Sequence, residues 1–263
     1  MKKNIPHLRP WIIKDDIRAV NKALSEKCTS HFKYAGILSE KLKNYAGFEN
    51  CYLYASGTLA LRSALLMLKL PKRSAVAIPS FTCQGVLNGV LAAGHKPHII
   101  DCDNRGLMDA GEVLKIYKKD HIAAAVAVHQ FGLINEGMAK LARLMPVIED
   151  CSHVPPKAYI KGSRSVYGSL EGTKLLGAGE GGYLLCAGRD EKGDKEMNPV
   201  FLGNRLSDVT AVLALCQLKR LSENLRKRKR TAAIYSKSLD SSKIVRGKRA
   251  AWFRFLIDSG SLS

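Results

Sequence analysis

A chain of 263 residues suffices for one large domain with a smaller appendage, and it needs no staple to hold a core. Hydrophobic residues at 46% and charged residues at 25% exclude wholesale disorder, and no apolar run approaches the roughly 20 residues of a membrane helix. The formal net charge of +19 stands out, and about half of the excess lies after residue 200, centred on Arg226-Lys227-Arg228-Lys229-Arg230. Such a run either attracts a polyanion or forms the solvated face of a long helix. No aromatic interleaves it and no nucleic-acid motif precedes it, so no nucleic-acid partner is expected. Seven cysteines without a CxxC pair argue for reduced thiols, a cytoplasmic location and no metal site. Lys2 and Lys3 lead into no signal-peptide core.

In chain order, helices are expected over 16–27 and 36–45, a strand over 51–54, a helix over 58–69 and a strand over 75–78. A helix over 84–93, a strand over 98–101, a helix over 109–118 and a strand over 122–128 follow. Then come a helix over 136–144, strands over 147–150 and 183–186, and a polar turn-like stretch over 190–198. A helix apolar on nearly every side runs from Ser207 to Leu221 and continues, strongly basic, to about Leu239. A last strand is expected over 252–257. Unalternating apolar strands separated by helices indicate a mostly parallel buried sheet between helices, the α/β class.

In open α/β sheets, ligands sit beyond the carboxyl ends of the strands. Ser56-Gly57-Thr58 follows one strand and opens a helix, which suits either a phosphate or a plain N-cap. Asp150 ends another strand, where an acid can bind a metal, accept a phosphoryl group, hold a protonated ring nitrogen or cap a turn. His153 lies on the same loop. Lys174 precedes Gly177-Ala178-Gly179-Glu180-Gly181-Gly182, a match to the dinucleotide fingerprint that fails because it precedes a strand. A lysine in such a glycine-lined turn suits Schiff-base chemistry better. Asp101-Cys102-Asp103 reads as an acidic turn, with a metal-dependent glycosyltransferase as a weak option.

Taken in order, Ser56-Gly57-Thr58, the 78–83 segment, Val128-His129-Gln130-Phe131-Gly132, Ile148-Glu149-Asp150-Cys151-Ser152-His153 and Thr173-Lys174 before Gly-Glu-Gly-Gly form a pattern. With Gly203-Asn204-Arg205 ahead of the apolar helix, this resembles the DegT/StrS family of pyridoxal-phosphate-dependent sugar-nucleotide aminotransferases, from Ile5 to about Ile257. The resemblance implies a fold-type-I (aspartate aminotransferase-like) large domain and pyridoxal 5′-phosphate as cofactor. It implies that Lys174 carries the cofactor and shuttles a proton, and that Asp150 keeps the pyridine nitrogen protonated. Gly57, Thr58 and Ser169 would hold the phosphate, and His153 would lie near the ring oxygen. Cys83 takes a position often filled by a stacking aromatic. Asn204, which in the family reaches a neighbouring subunit's site, is out of register by one.

The resemblance further implies a homodimer that moves an amino group, from glutamate as donor, to a keto-sugar nucleotide for surface polysaccharide or glycoside biosynthesis. A PLP-dependent sugar dehydratase is the rival within the family, disfavoured because such members replace the lysine with histidine. A degenerate non-catalytic relative that binds polyanions through its basic helix is the rival outside it. The expected organisation is a PLP-binding large domain over 1–200, a long helix over 201–240 and a remnant of a C-terminal small domain over 241–263. That shortened small domain leads to the expectation that cofactor binds while sugar turnover is impaired.

Overall fold

The computed structural model describes residues 10–30, 33–120, 122–187, 204–247, 249–258 and 260; the polar stretch expected over 190–198, Gly203 and the first nine residues lie outside these. The strands are β1 (Asn50–Tyr54), β2 (Ala75–Pro79), β3 (Lys96–Ile100), β4 (Ala124–Val128), β5 (Val147–Asp150), β6 (Ser165–Ser169) and β7 (Gly182–Cys186). The helices are α1 (Lys14–Ser25), α2 (Lys33–Ala46), α3 (Gly57–Met67), α4 (Gln84–Ala92), α5 (Ala110–Asp120), α6 (Met138–Leu141) and α7 (Asp208–Ser238).

The strands form one sheet in the order β1-β7-β6-β5-β4-β2-β3. β7 runs antiparallel to both of its neighbours, and the remaining pairs are parallel. Alternate side chains feed two cores. Val76, Ile78, Val126 and Ile148 pack beneath α3 and α4, whereas Ala77, Ala125, Ala127 and Val147 pack with α2 and α7 on the other face. This is the two-sided burial that parallel strands require.

α7 begins at Ser207, whose side chain accepts the Thr210 N–H, and its first acid reaches across to another helix. The Asp208 carboxylate accepts the N–H groups of Lys33 at 3.1 Å and Ala35 at 2.8 Å, completing the start of α2. Farther along α7, Arg220 grips the fully buried Asp16 of α1 and the Trp11 carbonyl. Burial alone would raise the Asp16 carboxyl, but hydrogen bonds from Arg220 and the Ile13 N–H outweigh it and hold it below its ordinary value.

Three expectations need correction. β6 was not anticipated, because Ser165-Val166-Tyr167-Gly168-Ser169 offers only two apolar residues among small ones. The helix expected over 136–144 shrinks to the single turn of α6, flanked by Gly137 and halted before Pro146. The segment 252–257 is not a strand. Trp252 sits at φ +52°, outside extended geometry, and Ala251 and Arg254 donate instead to the carbonyls of Gly132 and Phe131. The chain thereby folds onto the loop after β4.

Candidate active site

Gly57, Thr58, Cys83, Asp150, His153, Ser169 and Lys174 come from five separate segments, yet all line one cleft of about 320 Å³ at the strand ends. Its wall at the head of α3 is set by backbone. Ser56 caps the helix by accepting the Leu59 N–H, and the first N–H groups of α3 have no partner inside the helix. A Cβ on Gly57 would lie 3.1 Å from the Ser169 Cβ, so any larger residue would press β6 away from the α3 turn by a few tenths of an ångström. A Cβ on Gly85 would lie 2.8 Å from Thr58 Oγ1. Gly57, Thr58 and Ser169 thus stand together where the head of α3 meets β6.

Asp150 closes the floor, 5% exposed. Its Oδ1 accepts the Ser152 N–H and its Oδ2 accepts the Tyr167 hydroxyl, both at 2.8 Å. Burial, reinforced by the Asp150 charge, pushes the Tyr167 phenol well up, so it stays a donor. Ser152 Oγ in turn accepts the Ser169 N–H at 3.0 Å, joining floor to cradle.

Lys174 sits on the hairpin between β6 and β7, where its N–H bonds the Glu171 carbonyl and its carbonyl accepts from Gly177. Its Nζ lies 3.0 Å from His153 Nε2. His153 Nδ1 accepts the Phe131 N–H at 3.2 Å. Burial first, then the Lys174 and Arg254 charges, lower His153 to about 4 against the opposite pull of Asp150. Phe253 stacks on the far face of that ring at 4.1 Å and 11°.

Cys83 is exposed at the N-cap of α4 and presents no aromatic face. Asn204 is not among the cleft residues; its carbonyl accepts the Ala55 N–H at 2.8 Å, two residues before Gly57. Asp103 is committed to closing a turn, accepting from Arg105 and from the Leu107 N–H. Sequence reasoning missed Tyr167, Ser152, Thr82 and Phe253. Ser152 and Thr82 stood inside recognised motifs, whereas Tyr167 and Phe253 did not.

The arrangement has the parts that a pyridoxal phosphate needs: a helix-start cradle for a phosphate, an acid at the floor and an amine between. Thr82 Oγ1 lies buried in the cleft wall without a partner among the described residues, as expected for a hydroxyl awaiting a ligand. The residues fit the group.

The fold is that of the PLP-dependent aminotransferases. Helicobacter pylori PseC, an aminotransferase of pseudoaminic acid biosynthesis, superposes with a TM-score of 0.83 at 19% identity, over 96% of this chain and 77% of that one. The aminotransferase TlmJ of Streptoalloteichus hindustanus gives 0.84 at 20% identity, over 96% and 78%. A Streptococcus pneumoniae protein of the same fold has been solved in PLP and PMP forms.

The particular family follows from sequence. The profile of the DegT/DnrJ/EryC1/StrS aminotransferase family matches residues 10–259, and the chain belongs to that family of PLP-dependent enzymes. A Campylobacter jejuni UDP-4-amino-4,6-dideoxy-N-acetyl-beta-L-altrosamine transaminase is 26% identical over 260 residues, 88% of this chain and 68% of the relative. The GDP-perosamine synthase of Escherichia coli O157:H7 is 24% identical over 269 residues, 91% of this chain and 72% of the relative.

Proposed function

We propose that this aminotransferase moves an amino group from an amino acid, glutamate first among them, to a keto-sugar nucleotide in the cytoplasm, as a homodimer. The observation that carries the site assignment is the 3.0 Å approach of Lys174 Nζ to a neutral His153, beside an acid held by two donors. The substrate class follows the relatives, one named as a transaminase of a UDP-linked aminosugar and one as a GDP-perosamine synthase. The dimer follows the family resemblance, whose members build their sites across a two-fold interface.

Pyridoxal phosphate, when bound, supplies an electron sink for a carbanion next to nitrogen. The chain's own residues do the rest. Gly57, Thr58 and Ser169 bind the phosphate through backbone N–H and hydroxyl groups. Asp150 holds a proton at the ring nitrogen, and Tyr167 and Ser152 hold Asp150. Lys174 is the amine that attaches the cofactor and moves the proton, and His153 keeps that amine in place. The domain division at about residues 200 and 240 belongs to the same reading, with α7 as the connecting helix.

Borohydride reduction followed by peptide mapping tests the assignment. Wild-type protein should carry a fixed adduct at Lys174, and Lys174→Ala should carry none. A full adduct on another lysine defeats it.

A further inference from the structure

A second cavity, of about 410 Å³, lies at the other end of the sheet from the cofactor cleft. Its walls include the end of α3 and the start of β6. β6 begins at the cavity with Ser165 and reaches the cleft at Ser169, about 13 Å away at the rise of an extended strand. α3 spans the same gap, with Gly57 at the cleft and Met67 at the cavity. No group assigned to the cofactor lines this second cavity.

Its lining carries three kinds of polar group. Lys69 and Arg164 are exposed cations, and no carboxylate stands among the described lining residues. The Arg164 backbone is fixed, its N–H donating to the Val147 carbonyl at 2.9 Å, while its side chain meets no acid among the described residues. The hydroxyls of Ser163 and Ser165 are buried in the wall and have no partner among the described residues. Ser165 itself is only 4% exposed. The last carbonyls of α3 complete the set, since no helical N–H lies ahead of them.

Buried hydroxyls in native proteins are nearly always paired, so two orphans in one cavity wall call for a partner from outside the chain. A guanidinium fork beside an ammonium suits a phosphate in two-point contact. The helix-end carbonyls accept only donors, which a phosphate dianion does not offer and sugar hydroxyls do. The cavity is also larger than the roughly 320 Å³ cleft, so a bare phosphate would leave most of it unfilled. We propose that this cavity binds a small phosphorylated polyol, a sugar phosphate in its simplest form. Arg164 and Lys69 take the phosphate, and Ser163, Ser165 and the end of α3 take the hydroxyls.

The test is titration calorimetry of cofactor-loaded protein, whose own phosphate cradle is filled, with glucose 6-phosphate, inorganic phosphate and glucose in separate runs. Glucose 6-phosphate should bind, and inorganic phosphate should bind about tenfold or more weakly for want of the hydroxyl contacts. Arg164→Gln should weaken glucose 6-phosphate by about tenfold or more, the loss of a charge-assisted hydrogen bond, and Arg164→Lys should recover part of it. The Arg164 side chain is exposed and makes no hydrogen bond among the described residues, so Arg164→Gln folds. Ser165→Ala should weaken the ester about threefold without lowering Tm, because its hydroxyl has no partner to lose in the free protein. The borohydride-fixed adduct should be the same in all three variants. Absence of binding by loaded wild type overturns the inference, as do equal affinity for inorganic phosphate and unaltered affinity in Arg164→Gln. Binding by apo protein that vanishes on loading with pyridoxal phosphate would place the ester in the cofactor cradle, and overturns it too.

Discussion

His153 is gripped on every side: an N–H on Nδ1, the Lys174 amine at Nε2, Phe253 across one face and two cations within electrostatic reach. Its protonated form is unwelcome, so the folded protein holds it near 4 while the unfolded chain titrates at about 6.5. Between those values the unfolded state binds more protons, and stability therefore rises with pH through that window. Thermal melts from pH 7 down to pH 4 should show wild-type Tm falling as His153 is driven toward protonation. His153→Gln, which keeps a polar side chain but cannot charge, should flatten that part of the slope. An unchanged slope would mean that other groups carry the acid sensitivity.

Along β5 the pleat sends Glu149 and Asp150 to opposite faces of the sheet. Asp150 faces the cleft. Glu149 is wholly buried on the other side, where its Oε2 lies 2.6 Å from His129 Nε2 and both its oxygens lie 2.9 Å from the Ile160 N. His129 Nδ1 accepts the Asn135 N–H, which leaves Nε2 as the donor to Glu149. The pair pins the end of β5 to the loop that carries Phe131, and thereby the two groups that hold Asp150 and His153. Glu149→Ala should cost about 3–5 kcal/mol in urea denaturation, the usual penalty for removing one partner of a buried pair. A loss under about 1 kcal/mol, the scale of an exposed pair, would show the pinning to be dispensable. The sequence displayed Glu149 and His129 inside recognised motifs but not their pairing, which depends on the β4–β5 register. Tyr167 was illegible for a related reason: β6 has too little apolar content to announce itself, so its hydroxyl had no position relative to Asp150.

The α/β sheet and the gathering of Gly57, Thr58, Ser169, Asp150, His153 and Lys174 were legible, because strand ends in parallel sheets converge on one rim. The path of the chain after α7 was not. Trp252-Phe253-Arg254-Phe255 has strand-like composition, and tertiary contacts overrode it: the Phe253 ring found His153, and its backbone seats against Gly132, where a Cβ would lie 2.8 Å from the Phe253 N. The same contacts turned Arg228 from a member of a charged run into a partly buried residue that donates to the Phe253 carbonyl. Among the described residues no helix is long and apolar enough to cross a membrane.

The position of β7 separates the site in time as well as in space. Its pairing with β6 closes a short hairpin, in which Leu170 bonds Gly181 and Gly172 bonds Gly179, so the loop that carries Lys174 is a product of local contacts. Pairing with β1 joins Asn50 to Cys186 across more than half of the chain, and only that step brings Ser56 and Gly57 against Gly182 and Ser169. Closing so long a loop is slow compared with closing a hairpin. During refolding from denaturant, far-ultraviolet ellipticity should therefore recover ahead of the cofactor's absorbance change, since the lysine is placed before the phosphate cradle exists. Added pyridoxal phosphate should leave the early phase unaltered and draw the late one forward. Coincident phases would mean that β1 docks with the first collapse, and that the two halves of the site are born together.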